Sequence, residues 1–565
     1  MRIAIAQLNP TVGSLDRNFE LVKKAYERAC DSQARLLLTP ELCLNGYPPH
    51  DLVERPETFT RTEAALEKLA ALTSGKSCAL VVGAILKNPK ETGKKALNSA
   101  VVFEKGKQVF TQSKSLLPTY DIFDESRYFE PSKEVSVWNC DGKKIALGIC
   151  EDFWAEDEEL GRIYARDPVD DFQKMGVDLA LSVSSSPYEK GKRARREMVH
   201  GQVAKKLKAP LAYVNQWGAN DEILFDGASF VVGADGKLTH RLPVFAEGFG
   251  VFEYDFAAKA WKGETQFQAQ EKETDADAEW RDLKNGLVVG IRDYFRKTGF
   301  SRALLGLSGG VDSALIAVLA AEALGPENVL AVAMPSQYSA SISLEDAETL
   351  ARDFRLRFEV RPIKFLFSQA LREWSEGRGK LADLAQENMQ SRLRGNILMT
   401  LSNHYGALVL TTGNKSELAT GYCTLYGDMC GALAPIGDLY KTQVYGLCDY
   451  LNRTAKRTGQ PLIPERILTR APSAELRPNQ TDQDSLPPYE FLDLTLQLYL
   501  EKRLPQAEIE SEFKRLGKPT DGIKKTLRLV EINEYKRRQA PPVLKVSQKA
   551  FGMGRRMPVA KEIET

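Results

Sequence analysis

Residues 303–324 read ALLGLSGGVDSALIAVLAAEAL, and this stretch decides the fold of the second half of the chain. The apolar run 303–307 is typical of a buried strand, and the alanine-rich run after Ser313 predicts a helix. Between them, two glycines allow the backbone to turn tightly. Because the first N–H groups of a helix have no partners inside it, the turn predicts an anion-binding site.

The side chains of this turn add chemistry to the site. Ser308 and Ser313 can donate hydrogen bonds, and Asp312 can bind a magnesium ion. No Gly-Lys-Ser/Thr sequence follows, which excludes the P-loop of ordinary nucleotide triphosphatases. A plain glycine turn is the alternative. The six residues 308–313, SGGVDS, resemble the loop of the ATP-pyrophosphatases, which implies cleavage of ATP between its α and β phosphates and adenylation of the substrate.

Length and composition restrict the class of protein. A chain of 565 residues exceeds one hydrophobic core, so at least two domains are expected. With 77 Lys and Arg against 76 Asp and Glu, charge does not favour nucleic acid or an anionic membrane as the main partner. No apolar run reaches the length of a membrane span. The strand-like N-terminus and eight scattered cysteines predict a reduced, cytoplasmic environment.

The pattern of apolar runs predicts two α/β domains. In residues 1–262, short strands alternate with helical segments, which favours a layered sandwich. A polar stretch, 263–278, is interpreted as a linker. In residues 279–565, a βαβ rhythm predicts a doubly wound parallel sheet, with ligands bound at the carboxyl ends of its strands. The predicted strands are Ile3–Gln7, Leu36–Leu38, Ala79–Ile85, Ala100–Phe103, Lys144–Ile149, Leu179–Val183, Leu211–Val214, Ser229–Val232, 303–307, 329–335 and 407–411.

Three residues of the first half could together hydrolyse an amide. Glu41 follows a strand, Lys114 lies in a loop, and Cys150 ends an apolar strand. In a thiol amidase a thiolate attacks the amide carbon, a base accepts the thiol proton, and a cation stabilises the oxyanion. Spacing alone does not show that the three residues meet. Taken singly, they are also explained as a packed cysteine, a solvated lysine and an acid near a helix start.

The segments around these residues carry a family resemblance. PEL (40–42), KSLLPTY (114–120) and GICED (148–152) resemble, in this order, the signatures of the nitrilase (carbon–nitrogen hydrolase) superfamily. The resemblance implies an α-β-β-α sandwich with Glu41 as base, Lys114 as oxyanion cation and Cys150 as nucleophile. It also implies glutamine as the amide, with these binding residues: Tyr120, Glu125, Phe153, Ser186 and Lys192.

Later segments of the second half indicate the acceptor. In the helical segment QENMQSRLRGN (386–396), Asn388 and Arg392 are four residues apart and share one face. TTGNKSE (411–417), TLYGD (424–428), GDLYKTQV (437–444) and PPVLKVS (541–547) follow. Together they resemble the NAD synthetases, and the whole chain resembles the glutamine-dependent NAD⁺ synthetase family.

That resemblance implies a reaction and its partners. ATP, as substrate, would convert deamido-NAD⁺ to an acyl-adenylate, and ammonia from glutamine would pass through a channel and complete NAD⁺. A homo-oligomer is expected. The residues implied for ATP are Ser308, Gly309, Gly310, Val311, Asp312, Ser313, Thr412 and Lys441; for deamido-NAD⁺, Asn388, Arg392 and Asp428; for Mg²⁺, Asp312 and Glu417.

Three alternatives remain open at this point. The chain could amidate another acid, or it could be a nitrilase whose second half only regulates it. It could also be a non-catalytic sensor built on enzyme folds. The intact Glu41, Lys114 and Cys150 argue against the sensor. Feeding deamido-NAD⁺ with glutamine and ATP would test for a different acid as substrate. Measuring pyrophosphate release would test for a nitrilase whose second half only regulates it.

Overall fold

A computed structural model describes residues 1–155, 163–263, 275–377, 379–459 and 461–563. The chain forms two compact units, Met1–Thr274 and Asp275–Thr565. Most of the predicted linker lies outside the described residues. A helix already begins at Asp275, earlier than the predicted start of the second domain. No helix in the described part of the chain is both long and apolar enough to cross a membrane.

Unit 1 is built on fifteen described strands and five helices. The strands are β1 (Arg2–Gln7), β2 (Leu36–Leu38), β3 (Ala79–Lys87), β4 (Ala96–Glu104), β5 (Lys107–Ser113), β6 (Val137–Cys140), β7 (Lys143–Ile149), β8 (Leu179–Ser184), β9 (Leu211–Asn215), β10 (Trp217–Asn220), β11 (Ile223–Asp226), β12 (Phe230–Val232), β13 (Leu238–Arg241), β14 (Gly248–Asp255) and β15 (Ala260–Gly263). The helices are α1 (Leu15–Asp31), α2 (Pro56–Leu72), α3 (Glu125–Tyr128), α4 (Pro168–Met175) and α5 (Lys192–Leu207).

Two mixed sheets form the centre of unit 1. One has the order β15-β14-β1-β2-β3-β4-β5 and the other β13-β12-β9-β8-β7-β6, with β10 and β11 as a separate hairpin. Their facing sides share one core, in which Ile5 and Val81 of the first sheet join Leu147 and Leu181 of the second. Helices α1 and α2 cover the outer face of the first sheet, and α4 and α5 cover that of the second. The predicted α-β-β-α sandwich is confirmed.

The topology brings three loops of unit 1 to one end of the sandwich. Strands β7, β8 and β9 are parallel, so their carboxyl ends lie side by side. Cys150 follows β7, and Ser185 follows β8. In the other sheet, Glu41 follows the carboxyl end of β2. Parallel strands therefore supply the geometry that residue spacing left open.

Unit 2 consists of helices around a four-stranded parallel sheet. The strands are β16 (Ala303–Gly306), β17 (Val329–Ala333), β18 (Arg357–Val360) and β19 (Leu408–Val409), in the order β18-β17-β16-β19. The helices are α6 (Asp275–Thr298), α7 (Val311–Leu324), α8 (Ser341–Asp353), α9 (Lys364–Ser375), α10 (Asp383–Tyr405), α11 (Lys415–Thr420), α12 (Lys441–Thr458), α13 (Glu465–Thr469), α14 (Tyr489–Leu496), α15 (Gln506–Arg515), α16 (Ile523–Ile532) and α17 (Glu534–Arg537), with a π-helical turn at Gln497–Glu501.

The strand, turn and helix expected around SGGVDS are present in unit 2. Strand β16 ends at Gly306 and α7 begins at Val311. The parallel sheet predicted from the βαβ rhythm is confirmed, but its edge strand β18 was missed because its sequence, RFEV, is partly polar.

A buried ion pair joins helix α5 to the hairpin of unit 1. Arg196 donates to Asp226 over 2.5 Å, and both side chains are about 1% exposed. Asp226 also accepts from Asn215, whose side chain bonds both backbone groups of Ser186. The Arg196–Asp226 pair thus supports the loop after β8.

We expect Arg196→Met to destabilise unit 1 by about 3–5 kcal/mol, because Asp226 would remain buried without its cation. The control Arg166→Met removes a partly exposed ion pair with Asp171 and should cost about 1 kcal/mol or less. Denaturant unfolding monitored on the two variants tests the difference. Equal losses would contradict a dominant role for burial.

Candidate active sites

The carboxylate of Glu41 is fully buried and held from three directions. Its Oε1 accepts from the side chains of Asn98 at 2.7 Å and Lys114 at 2.8 Å. Its Oε2 accepts from the backbone N–H of Ser185 at 2.9 Å. The bond to Ser185 ties the loop after β2 to the loop after β8, so the two sheets position Glu41 together.

Gly83 makes room for the segment that carries Glu41. A Cβ at Gly83 would lie 2.5 Å from the carbonyl oxygen of Pro40 and 2.3 Å from the amide nitrogen of Leu42. Atoms cannot approach so closely, so any larger residue would displace the loop. The close packing of Gly83 is therefore part of what aims the Glu41 carboxylate.

Lys114 lies between two carboxylates in the same buried cluster. Its Nζ donates to Glu41 and, at 2.7 Å, to Oε1 of Glu125, which also accepts from the hydroxyl of Tyr47 at 2.8 Å. Burial alone would lower the pKa of Lys114, but the charges of Glu125 and Glu41 outweigh it and raise that pKa well above its usual value. The two carboxylates therefore favour the charged form of Lys114.

Glu125 is the second carboxylate bound to Lys114. Burial raises its pKa to about 7, although Lys114 acts in the opposite direction. Its Oε2 is buried and has no hydrogen-bond partner among the residues that the structure describes. Glu125 thus offers a free oxygen to a polar group entering the site.

Cys150 stands at a sharp turn beside this cluster. It is buried, with φ at +46°, in the left-handed region that costs a non-glycine residue conformational energy. Burial raises the pKa of the thiol, the negative charge of Glu41 raises it further, and Lys114 opposes both. Burial and Glu41 thus favour the protonated thiol, with the Glu41 carboxylate in the same cluster.

Asp152 fixes the cysteine turn against the lysine loop. Its carboxylate accepts from the backbone N–H groups of Ser115, Leu116 and Ile149 at 2.9, 2.9 and 3.0 Å. These residues flank Lys114 and Cys150 in the chain. Burial raises the pKa of Asp152 to about 6. All three hydrogen bonds come from backbone N–H groups, so Asp152 holds the two loops in place.

Glu151 is a site residue that the sequence interpretation missed. Its side chain is buried, and its Oε1 accepts from the hydroxyls of Tyr120 and Tyr164, each at 2.8 Å. Burial raises the pKa of Glu151, which the positive charge of Lys114 opposes. The available signal was its position directly after Cys150, inside a quoted motif.

The other residues predicted to bind glutamine differ in placement. Tyr120 is half-buried on Glu151, while the ring of Phe153 packs in the core with a centroid 6.4 Å from that of Phe172. Ser186 is buried in the loop after β8. Lys192 begins α5, with its Nζ 5.9 Å from the ring centroid of Trp154. Their contacts with glutamine stay predictions.

In unit 2 the SGGVDS turn forms the predicted helix N-terminus. Gly309 has φ +79°, and a Cβ there would lie 2.2 Å from the carbonyl oxygen of Ser343, so only glycine fits. The hydroxyl of Ser313 accepts from the N–H of Ser308 at 3.2 Å and donates to the carbonyl of Gly310 at 3.0 Å. The residues at the start of α7 line a cavity, and the first N–H groups of a helix have no partners inside it.

Lys441, the first residue of α12, lies between two carboxylates at this turn. Its Nζ donates to Asp312 at 2.5 Å and to Glu417 at 3.2 Å. The side chain of Asn414 donates to the other oxygen of Asp312 at 2.9 Å. Burial would lower the pKa of Lys441, but Asp312 and Glu417 raise it above its usual value. Burial raises the pKa of Glu417 to about 8, although Lys441 opposes the shift.

The residues predicted for deamido-NAD⁺ line the same cavity, which has a volume of about 570 Å³. Asn388 accepts from the hydroxyl of Thr424 at 2.8 Å, and Asp428 accepts from its N–H at 2.7 Å. Arg392 donates to the carbonyl of Leu425 at 3.1 Å. The cavity is also lined by Ser308, Gly309, Gly310, Val311, Asp312, Ser313, Thr412, Glu417 and Lys441. All residues predicted for this half therefore meet at one cavity.

Asp482 and Arg394 also line this cavity and were missed from the sequence. Asp482 accepts from the hydroxyl of Tyr489 at 2.7 Å, and burial raises its pKa. Arg394 donates to the carbonyl of Met334 at 3.0 Å, and burial lowers its pKa to about 10. Spacing placed Arg394 on the opposite helix face from Arg392, and Asp482 lies in a polar stretch without a periodic signal.

The carboxylates beside Lys441 fit a magnesium ion. Within the described ranges, no group of three or more His, Cys, Asp or Glu is arranged to hold a metal. Asp312 and Glu417 are two hard oxygen donors on one side of the cavity. Mg²⁺ commonly takes only one or two protein carboxylates and completes its shell with phosphate and water oxygens.

Comparison with known proteins divides the chain in the same way. A carbon-nitrogen hydrolase family matches residues 2–262, and an NAD synthase family matches residues 283–540. The glutamine-dependent NAD(+) synthetase of Synechocystis sp. is 44% identical, covering 99% of this chain and 98% of the relative. That of Acinetobacter baylyi is 40% identical, covering 99% of this chain and 98% of the relative.

Solved structures agree over the whole chain. The structure of the glutamine-dependent NAD⁺ synthetase of Acinetobacter baumannii in complex with ADP has 37% identity and a TM-score of 0.76, covering 99% of this chain and 98% of that one. An enzyme of the same name from Cytophaga hutchinsonii has 20% identity, 99% and 98% coverage and a TM-score of 0.80, which supports the fold alone. The chain therefore belongs to the glutamine-dependent NAD(+) synthetase family and is a glutamine-hydrolysing ligase.

Proposed function

We propose that this chain amidates deamido-NAD⁺ to NAD⁺ at the cavity of unit 2, with ammonia released from glutamine by Cys150. The observation that carries the proposal is the pair of separate charged clusters. One places Glu41 and Lys114 beside a buried thiol. The other places Lys441 between Asp312 and Glu417 at the predicted ATP turn.

The first step is attack of the Cys150 sulfur on the carboxamide carbon of glutamine. Glu41 accepts the thiol proton as the carbon–sulfur bond forms. Lys114 stabilises the negative charge that develops on the carbonyl oxygen. Glu41 then returns the proton to the leaving nitrogen, so ammonia departs and a thioester remains. Water hydrolyses the thioester to glutamate and regenerates the thiol.

Two carboxylates would orient glutamine for this attack. The unpaired Oε2 of Glu125 can accept from the amide NH₂ of glutamine. Glu151 is a buried carboxylate that can accept from the α-ammonium, since its present partners are neutral tyrosine hydroxyls. Lys192 would attract the α-carboxylate.

The second step activates the acid. The nicotinate carboxylate attacks the α-phosphorus of ATP, pyrophosphate leaves, and an acyl-adenylate forms. Lys441 and the N–H groups at the start of α7 offset the negative charge that develops on the phosphates. Mg²⁺ held by Asp312 and Glu417 would supply further charge neutralisation. Asn388, Arg392 and Asp428 would hold the dinucleotide.

Ammonia completes the reaction by attacking the acyl carbon, and AMP leaves. The nucleophile must be the neutral form, which bulk water at neutral pH largely converts to ammonium. We therefore propose shielded transfer of ammonia from the Cys150 site to the cavity. The route of transfer, the homo-oligomer and the cytoplasmic location stay predictions.

Cys150→Ala should separate the two half-reactions. NAD⁺ synthesis with glutamine should fall by at least about 1,000-fold because the nucleophile is lost, while synthesis with added ammonia should change by less than about twofold. NAD⁺ formation with each nitrogen donor is the measurement. Cys140→Ala, which removes another buried thiol, is the control and should keep both activities. Equal loss with both donors in Cys150→Ala would contradict separate sites.

Lys441→Met should instead abolish synthesis with either donor. Without the ammonium, the charge on the phosphates is not offset, so release of AMP and pyrophosphate should fall by about 100- to 1,000-fold. Glutamate release measured without nucleotides should persist. Lys284→Met, which breaks a surface pair with Glu322, is the matched control. Full ammonia-dependent activity in Lys441→Met would refute the proposed role.

Glu151→Gln should weaken glutamine binding specifically. Loss of a charged hydrogen bond to the α-ammonium should raise the KM for glutamine by about 10- to 100-fold. Ammonia-dependent synthesis should not change. The test compares glutamine with glutaramic acid, which lacks the amino group: the wild type should discriminate strongly and the variant weakly. Unchanged discrimination in the variant would contradict the assignment, and Glu104→Gln, in an outer ion pair with Arg35, is the control.

A further inference from the structure

The C-terminal segment 541–547, PPVLKVS, is a motif without a place in the proposed chemistry. None of the described residues after Lys536 lines the cavity. The segment nevertheless pairs with the loop before α12. Ala434 donates its N–H to the carbonyl of Pro542 at 2.8 Å and forms a parallel bridge with Val543. The tail segment 541–547 therefore contacts the loop before α12 and does not contact the cavity directly.

Asp438 is the residue of that loop to which the tail is anchored. It is fully buried. Its Oδ2 accepts from the N–H groups of Val546 and Ser547 at 2.8 and 2.7 Å, and its Oδ1 accepts from the hydroxyl of Ser547 at 2.8 Å. Three donors from a two-residue stretch of the tail thus converge on one carboxylate.

Lys415 connects Asp438 and the tail to Glu501, in the π-helical turn after α14. Its side chain is completely buried, and its Nζ contacts Asp438 at 2.9 Å, Glu501 at 3.0 Å and Ser547 at 2.7 Å. Two of these contacts, to Glu501 and Ser547, are hydrogen bonds, and Asp438 adds an ion pair. A buried ammonium without such partners would be strongly unfavourable, which fixes the relative position of the four residues.

The same two segments carry the charged groups of the proposed adenylation step. Glu417 lies two residues after Lys415, and Lys441 lies three residues after Asp438. Hydrogen bonds from backbone N–H groups also join the segment 415–417 to the segment 438–441. The N–H of Lys415 donates to the carbonyl of Leu439 at 2.8 Å, and the N–H of Lys441 donates to the hydroxyl of Ser416 at 2.9 Å. A shift of one segment would therefore change the distance between Lys441 and Glu417.

We propose that Asp438 is a positioning residue for adenylation, and that with Lys415 and Ser547 it makes the C-terminal tail part of the active-site scaffold. The proposal rests on the proposed function, since it concerns the placement of Lys441 and Glu417. Asp438 does not line the cavity and touches no reacting group. Its proposed effect is to hold Lys441, which does line the cavity, in position.

The test is Asp438→Asn in the full-length enzyme. An amide of similar size cannot accept all three tail donors and removes the charge facing Lys415. Because a small displacement of Lys441 lowers transition-state stabilisation, kcat for ammonia-dependent synthesis should fall by about 100-fold. The KM for ATP should change by less than about threefold, because the SGGVDS turn is intact. Glutamate release without nucleotides should remain at the wild-type rate.

Asp293→Asn is the matched control. Asp293 is a buried carboxylate of α6 paired with Arg296, and it does not line the cavity. It should lose stability without losing kcat. If Asp293→Asn and Asp438→Asn lose kcat in proportion to their melting temperatures, the role of Asp438 is structural and the proposal fails. It also fails if Asp438→Asn keeps a kcat within about threefold of the wild type.

Ser547→Ala provides a milder variant should Asp438→Asn not fold. It removes one hydroxyl from the cluster and should lower kcat by about tenfold at an unchanged KM for ATP. An unchanged kcat in this variant would overturn the proposal. Lys441→Met distinguishes failure of the proposed function from failure of the proposed role of the tail. Activity in that variant would refute the proposed function itself. Inactive Lys441→Met together with fully active Ser547→Ala would refute only the role of the tail.

Discussion

A buried lysine shared between two carboxylates is the interaction on which each half of this protein depends. Lys114 lies between Glu41 and Glu125, and Lys441 lies between Asp312 and Glu417. Removing an ion from water costs several kcal/mol even after relaxation, so neither lysine would stay in place without its partners. The carboxylates hold each cation in place, at the positions where the proposed reactions would develop negative charge. Four histidines in the whole chain leave this chemistry to lysine and carboxylate.

The two clusters handle their excess negative charge differently. In unit 1, burial raises the pKa of Glu125 to about 7, so a proton can relieve the repulsion between Glu125 and Glu41. This cluster is closed, and a neutral amide suits it. In unit 2, Asp482 adds a third carboxylate to the lining of the cavity. There the proposed Mg²⁺, bound together with phosphates, would offset the negative charge. Each cluster thus matches the charge of the substrate proposed for it.

Local sequence predicted the elements that carry the chemistry better than those that complete the sheets. Strand β2 has the bounds expected from its apolar run, and α7 follows the SGGVDS turn as expected from the alanine-rich run. By contrast, β14 and β15 were missed. Strand β14 pairs antiparallel with β1, which lies at the other end of the sequence of unit 1. Strand β15 pairs with β14 and forms the edge of the sheet, with three of its four residues exposed. Phe252 and Tyr254 of β14 and Trp261 of β15 pack in the core, but β14 also depends on pairing with the distant β1, which a local sequence window does not detect.

The candidate site shows the same division between motif residues and their partners. Glu41, Lys114 and Cys150 were predicted from the sequence because each lies in a quoted motif, and the structure places them in one buried cluster. Asn98 and Tyr47, which hold Glu41 and Glu125, come from β4 and a separate loop, and nothing in their neighbourhood suggests the role. Only the fold brings donor and acceptor together across such separations. Asp438 is the extreme case: it lies inside a quoted motif, yet the positioning role proposed for it depends on amides more than a hundred residues away. A motif names the atoms that react, whereas the tertiary contacts decide whether those atoms stand where the reaction needs them.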